Sequence, residues 1–344
     1  MNARAPWPWT PSETELALLN GWQHDFPLVR EPFAQIGQSL AVDEAQVLSA
    51  LRRLQAQGAI SRIGGVFAPG AGGAALLSAM AVPAGRLDEV AAQVSAHPGV
   101  NHNYEREHAF NLWFVMTGPD AATVEAAMQA LERETALPAL RLRMQRAYRI
   151  DLGFDLRHAT APAPMRAHQP LGANALVAGD HALAACVEQG LGVEARPFDA
   201  WALTCQCTPN EVIDRLQHWL HTGTLKRFGV VVRHHELGFA ANAMTVFNVP
   251  DDQVDACGEW LAAQTGVTLA YKRERAECWP FNLYCMVHGT HRAAVQAVIE
   301  RVICDGRLDA FPREVLFSTR RFKQTGARRF RSPLTDVEAA HALA

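Results

Sequence analysis

Apolar residues change their period several times along this chain, and each change marks an element. Val47, Leu48, Leu51 and Leu54 recur at three- and four-residue steps, the stripe of an amphipathic helix that Asp43 opens and Gly58 ends. Two shorter helices are predicted ahead of it. Ser12 with Glu15 three residues on is a capping-box pattern for a helix through about Trp22, and Pro32 opens a second over residues 33–40. A strand over residues 59–67 follows, carrying Gly64 and Gly65. Three short helices and a strand outline a winged helix-turn-helix. Beyond the Gly/Ala/Pro loop 68–73 come strand 76–82, helix 86–96, strands 100–106 and 110–117, helix 120–134 and strand 139–150. That order, β-α-β-β-α-β, is a ferredoxin-like unit. Residues 1–10, rich in Pro and Trp, read as an irregular arm, and residues 155–178, rich in Ala, Pro and His, as a linker.

The plan then recurs. Pro32-Phe33 returns as Pro197-Phe198, an offset of 197 − 32 = 165. At the same offset Val47, Leu51, Leu54, Gly58, Arg62 and Gly64 meet Val212, Leu216, Trp219, Gly223, Arg227 and Gly229. Tyr104-x-Arg106-Glu107 returns as Tyr271-x-Arg273-Glu274 at 271 − 104 = 167, and Phe110-Asn111-Leu112 as Phe281-Asn282-Leu283 at 281 − 110 = 171. The offset grows because the second hairpin is longer. The chain is therefore an α+β tandem duplication, a covalent dimer of two similar but unequal halves. The expected domains are helix-turn-helix units at 12–67 and 179–233 and ferredoxin-like domains at 74–154 and 238–330, joined by the linker 155–178.

Composition narrows the classes. With 344 residues, 49% of them hydrophobic, the chain can build ordinary cores. A net charge of −3 gives no global field toward nucleic acid or membrane. No apolar run approaches the ~20 residues of a membrane helix. The N-terminus lacks an apolar core and a small-residue cleavage site, so a cytoplasmic location is expected. All seven cysteines fall after residue 185, and Cys205 with Cys207 is the one close pair. That is neither a disulfide framework nor a CxxC site, and buried reduced thiols are expected.

The helix-turn-helix outline followed by a ferredoxin-like unit resembles the Lrp/AsnC family of transcription regulators. In such units the third helix enters the major groove by its N-terminal residues. Here it begins Asp43-Glu44-Ala45-Gln46, two carboxylates that would face phosphates, and in the second half Thr208-Pro209-Asn210-Glu211, without a cation. Arg52, Arg53 and Arg215 come too late for base edges, and the one basic cluster, residues 320–331, lies near the C-terminus. The units read as structural, and DNA binding is not expected. Arg62 and Arg227 each sit in a strand with glycine two residues on, in SRIGGVF and KRFGVVV. Two readings stand open: a solvated strand cation, or an anion contact where glycine lets a ligand come close.

The densest chemistry is in residues 101–118, NHNYEREHAFNLWFVMTG. Alternation puts His102, Tyr104 and Arg106 on one face of a strand, with His108 beyond them in a hairpin. SRIGGVF, NHNYEREHAFNLWF and YKRERAECWPFNLYCMVHG resemble the siroheme decarboxylases, enzymes built on the Lrp/AsnC plan. The resemblance covers about residues 12–330, and the fused arrangement resembles the two-subunits-in-one-chain form of heme d1 biosynthesis.

The resemblance implies loss of carbon dioxide from two acetate side chains of siroheme, giving 12,18-didecarboxysiroheme, for heme d1 or an alternative heme route. It implies no cofactor, the iron being the substrate's. Siroheme carries eight carboxylates, so its pocket needs cations and an apolar floor. Arg106 with Arg62, Lys272 and Arg273 are the candidate carboxylate contacts, Arg275 a further one. Tyr104, Asn111, Trp113, Tyr271 and Phe110 are candidates for the rest of the pocket. Decarboxylation leaves a carbanion-like methylene that the macrocycle delocalises and a general acid protonates. His102 and His108 are the candidates for that acid, and either is a candidate ligand of the substrate's iron; sequence divides the roles no further. In the second half His102 becomes Leu269 and the segment at His108 becomes Ala276-Glu277-Cys278, so the acid chemistry is expected from the first half and anion contacts from the second. His288 is a weaker candidate, facing Thr117 in the repeat. A ligand-responsive regulator and a non-catalytic tetrapyrrole sensor or carrier are the alternatives. Lrp-like ferredoxin units commonly pair their sheets, so a homodimer of the fused chain is compatible with the plan.

Overall fold

The computed structural model describes residues 11–150, 153, 156, 175–233 and 236–330. The predicted arm and most of the predicted linker lie outside them. Helices α1 (Glu13–Gly21), α2 (Pro32–Leu40) and α3 (Glu44–Ala56) lead into strand β1 (Ile60–Phe67). Ser12 and Glu15 form the predicted capping box, the Glu15 amide donating to Ser12 Oγ at 3.1 Å and the Ser12 amide to Glu15 Oε2 at 2.9 Å. The ferredoxin-like unit follows as β2 (Ala74–Met80), α4 (Leu87–Ala96), β3 (Val100–Arg106), β4 (Leu112–Gly118), α5 (Ala121–Thr135) and β5 (Leu142–Ile150). The second half repeats it: α6 (His181–Gln189), α7 (Phe198–Cys205), α8 (Pro209–His221) and β6 (Leu225–Val232), then β7 (Ala241–Phe247), α9 (Val254–Ala262), β8 (Val267–Arg273), β9 (Leu283–Gly289), α10 (Arg292–Asp305) and β10 (Arg313–Gln324).

The two helix-turn-helix units are welded together. Phe33, Leu51 and Leu54 share one core with Phe198, Leu216 and Trp219. Strands β1 and β6 pair antiparallel with Gly64 opposite Gly229. Both glycines admit the chain's own backbone rather than a ligand. A Cβ on Gly64 would stand 2.7 Å from the Val187 carbonyl, and one on Gly229 would strike the Trp22 carbonyl, which accepts from Val230 at 2.7 Å. Arg62 Nη2 donates to the Gly65 carbonyl at 3.2 Å, and Arg227 Nη1 to the Gln23 carbonyl at 3.1 Å. Against the two readings left open for these arginines the structure shows a third use: Arg62 ties down backbone three residues on, and Arg227 backbone of the other half.

The eight remaining strands close into one barrel, in the order β10-β3-β4-β2-β5-β8-β9-β7. Each half contributes a four-stranded antiparallel sheet, and the edges are consumed across the halves. The first part of β10 pairs with β7, and residues 318–324 pair with β3. Likewise β5 begins against β2 and continues against β8. Helices α4 and α5 cover the first sheet over Val90, Val94, Leu112 and Met128, and α9 and α10 the second over Leu261, Val267, Leu283 and Ile299. A further cluster inside the barrel draws on both halves: Trp113, Leu142, Val246, Trp279, Tyr284 and Leu316.

Candidate active site

Alternation along β3 turns His102, Tyr104 and Arg106 into a cavity of about 430 Å³ inside the barrel, within the ~300–1,000 Å³ common for ligand sites. Their counterparts Leu269, Tyr271 and Arg273 on β8 line the same cavity, as do Trp113 on β4 and Tyr284 and His288 on β9. The site is thus one chamber shared by both halves. It is also lined from off the barrel strands, by Pro69, Gly70 and Gly73 of the loop after β1 and by Ala327 and Arg329 after β10.

Arg106 and Arg273 are buried. Each makes one bond to a strand of the other half: Arg106 Nη1 to the Leu316 carbonyl at 2.9 Å, Arg273 Nη1 to the Leu142 carbonyl at 3.0 Å. In both, Nε has no partner among the described residues, and neither forms an ion pair there. Arg106 lies 5.8 Å from the Tyr104 ring centre, Arg273 5.1 Å from that of Tyr271 and 5.7 Å from that of Tyr284. Burial pulls the Arg106 guanidinium down to about 10, so it remains charged at neutral pH, and burial lowers Arg273 as well. A buried cation without an acid is costly until an anion arrives.

A bulge shifts the register of β3 between Val100 and His102, and the equivalent bulge of β8 lies between Val267 and Leu269. The skipped residues serve the histidines. Asn101 Oδ1 lies 3.0 Å from His102 Nδ1 and accepts a hydrogen bond from its N–H, leaving the lone pair on Nε2. Thr268 Oγ1 donates to the Met286 carbonyl at 3.0 Å and lies 2.8 Å from His288 Nδ1, so it accepts from that nitrogen. Burial pushes His102 down to about 4. Burial, with Arg106 and His102 nearby, pushes His288 to about 3. Both imidazoles are neutral at pH 7. Burial raises all three phenols, Tyr271 and Tyr284 to about 12 and Tyr104 as well, so they stay protonated.

Of the residues expected at the site, His102, Tyr104, Arg106, Trp113, Tyr271 and Arg273 meet in the cavity, and His108, Asn111, Lys272 and Arg62 do not line it. His108 sits in the hairpin turn, where its Nδ1 accepts from the Phe110 amide at 2.9 Å and its ring packs edge-on to Trp279, 5.2 Å between centres. Asn111 clamps Val82, Oδ1 accepting from its amide and Nδ2 donating to its carbonyl, each at 2.9 Å, and the predicted strand 110–117 begins at Leu112 for that reason. Asn282 does the same to Val249. Lys272 faces outward, 3.8 Å from Asp255, and Arg275 pairs with Asp251 at 2.7 Å. His288, the weaker candidate, also lines the cavity, so each half supplies one histidine to it. Asn242, Tyr284 and Arg329 line the cavity with nothing in the sequence to single them out beyond the repeat and the C-terminal basic cluster. All seven cysteines are free thiols. Among the described residues no group of three or more His, Cys, Asp or Glu could hold a metal ion, and no helix is long and apolar enough to cross a membrane.

Residues 71–149 and 236–323 match the family model described as AsnC-like ligand binding domain, and residues 15–60 the siroheme decarboxylase NirDL-like HTH domain. The chain is 40% identical to the siroheme decarboxylase NirDL subunit of Paracoccus denitrificans over 92% of this chain and 98% of the relative. It is 30% identical to a siroheme decarboxylase of Hydrogenobacter thermophilus over 90% of this chain and 92% of that one. A crystal structure of the siroheme decarboxylase NirDL superposes with a TM-score of 0.67 at 26% identity, covering 96% of this chain and 98% of that chain. A second, in co-complex with an iron-uroporphyrin III analogue, gives 0.65 at 26% identity, over 96% and 99%.

Proposed function

The chain belongs to the siroheme decarboxylase family, and from that premise we propose that its barrel cavity converts siroheme to 12,18-didecarboxysiroheme for heme d1 biosynthesis. The observation that carries the reading is the conjunction, in one cavity, of two neutral imidazoles with buried guanidiniums that have no acid partner among the described residues. Such a chamber suits a polycarboxylate bearing a metal. A charge-assisted hydrogen bond contributes about 1.5–3 kcal/mol, and Arg106 and Arg273 have donors to give. The protonated phenols of Tyr104 and Tyr271 add neutral donors, and Trp113 an apolar wall.

The histidines divide the chemistry by their surroundings. His288 is depressed by burial and further by Arg106, so its neutral Nε2 is the ligand for the substrate's iron. His102 is depressed by burial alone. Substrate carboxylates beside it favour its imidazolium, and it serves as the proton donor. As the bond from methylene to carboxylate carbon breaks, carbon dioxide leaves and the electron pair enters the macrocycle. The His102 proton then completes a methyl group. No cofactor of the protein is used in this scheme. A DNA-binding regulator is not favoured, because the helix-turn-helix units spend their strands on each other.

The test is anaerobic incubation with siroheme and mass spectrometry of the extracted tetrapyrrole. Loss of two carbon dioxide units is expected. An unchanged mass with a shifted Soret band would leave binding without chemistry and overturn the reading in favour of a sensor or carrier.

A further inference from the structure

We infer that Arg329 is a substrate-carboxylate contact, held against the cavity by a C-terminal strap, residues 324–330, that Glu188 of the second helix-turn-helix unit anchors. The inference rests on the functional reading above and names a further binding residue for it.

The strap leaves β10 and is fixed at successive points. The Thr325 amide donates to the Asn101 carbonyl at 2.7 Å, beside His102. The Arg328 amide donates to Thr117 Oγ1 at 3.2 Å. The amides of Arg329 and Phe330 then both reach the buried Glu188 carboxylate of α6, at 3.0 and 3.1 Å. Amide-to-carboxylate bonds are about twice as strong as neutral ones, so this is the firm end of the strap. The Phe330 ring packs edge-on against Phe67, 5.0 Å between centres. The opposing loop is stripped of side chains to admit the strap: a Cβ on Gly73 would stand 2.5 Å from Arg329 Cβ, and one on Gly72 2.8 Å from the Phe330 ring. Arg62 braces the strap from behind, its Nη1 lying 2.7 Å from where a Cβ on Gly326 would be.

That framework turns the Arg329 side chain into the cavity. There its one side-chain bond among the described residues is long, Nη1 to the Ala68 carbonyl at 3.4 Å, and Nε is buried with no partner among them. Glu188, the acid whose charge it feels, is engaged at its backbone amide. Arg329, half-buried with its Nε enclosed, therefore resembles Arg106 and Arg273 in having a guanidinium with no ion pair among the described residues. It does so from the segment after β10 rather than from a barrel strand, so it addresses a different substrate carboxylate from the two strand arginines. The arrangement also gives the second helix-turn-helix unit a use that requires no DNA.

The probes are siroheme and iron-uroporphyrin III, titrated by the Soret band. Arg329→Gln is expected to weaken both roughly ten- to hundredfold, the range of a lost charged hydrogen bond. Arg329→Lys should recover part of the loss, and KM should rise by a larger factor than kcat falls. Glu188→Gln should speed tryptic cleavage after Arg328 and Arg329 in the free protein, and bound iron-uroporphyrin III should slow it again. Affinity retained in Arg329→Gln while the wild type binds and turns over siroheme would overturn this inference alone. A wild type that takes up neither tetrapyrrole would overturn the functional reading and this inference with it.

Discussion

His102 and Leu269 occupy the same place in the two halves, each just past a β-bulge, opposite Val115 and Met286 respectively. At the next pair of matched positions the asymmetry reverses, for Thr117 stands where the second half has His288. Each half has kept one histidine, and the pseudo-symmetric pair Leu269 and Thr117 carries no acid–base group. Hence the cavity holds one pair of imidazoles, drawn from both halves. His102→Leu installs the residue that its counterpart position already accommodates, so folding should survive. Turnover should fall by about a hundredfold or more with tetrapyrrole binding retained. His108→Ala, in a turn outside the cavity, should leave turnover near wild type. Single-turnover mass spectrometry of both variants checks the assignment, and the opposite ranking would reverse it.

The same two histidines make the free protein acid-sensitive. Their folded-state values, about 4 and about 3, lie below the ordinary 6.5, so the unfolded chain binds more protons between those limits. Stability is then fully present above pH 6.5 and falls as the pH drops toward 4 and below. His102→Leu removes one of the two groups and should flatten the decline. Thermal melts of ligand-free protein across this range, compared between wild type and variant, measure it; parallel curves would mean that His102 titrates normally.

Much of this was legible in the sequence because it follows from period and repetition. The helix-turn-helix and β-α-β-β-α-β order came from spacing, and the inward face His102, Tyr104, Arg106 from strand alternation. What failed was long-range. His108 and Asn111 are as polar and as near the motif as His102, yet the hairpin turn takes one for packing on Trp279 and the other for clamping Val82. Arg62 looked like a ligand cation beside glycine, but glycine there admits Val187 backbone. His288 and Arg329 reach the cavity only through barrel closure across the halves and the path of the strap, which no local pattern encodes.

Arg273 illustrates how the cavity trades stability for binding. It is buried with no ion pair among the described residues, an arrangement that costs the free protein. Arg273→Met should therefore hold or raise the melting temperature of the free protein, despite losing the bond to the Leu142 carbonyl. Stabilisation by a fixed concentration of iron-uroporphyrin III should shrink by about 1.5–3 kcal/mol. Differential scanning fluorimetry with and without ligand gives both numbers. A fall in the free protein with an unchanged ligand increment would show that Arg273 is a structural cation.

Asn111 should behave in the opposite way. Its amide satisfies both the Val82 amide and carbonyl, and Asn111→Ala leaves those groups without it. The expected loss is about 1–3 kcal/mol of folding stability, with tetrapyrrole affinity unchanged. Urea unfolding and a Soret titration of the same sample separate the two; weakened binding at full stability would return Asn111 to the pocket.

The helix-turn-helix units should not retain DNA, and the reason lies in where their cations go. Arg52 donates to the Val193 carbonyl at 2.8 Å, Arg53 pairs with Glu15 at 3.2 Å and Arg215 with Asp180. The first turn of α3 presents Glu44 after the Asp43 cap, a negative edge where a groove-entering helix needs neutral or positive groups. The strands that would serve as free wings are paired to each other across the halves, β1 with β6. Non-specific binding depends on phosphate-facing cations and strengthens as salt falls, so low ionic strength is the most permissive condition. A gel-shift titration at low salt should show no retarded band at micromolar protein. A band whose affinity drops steeply with added salt would mean that the cations leave these partners for phosphates, and the purely structural account of the units would fail.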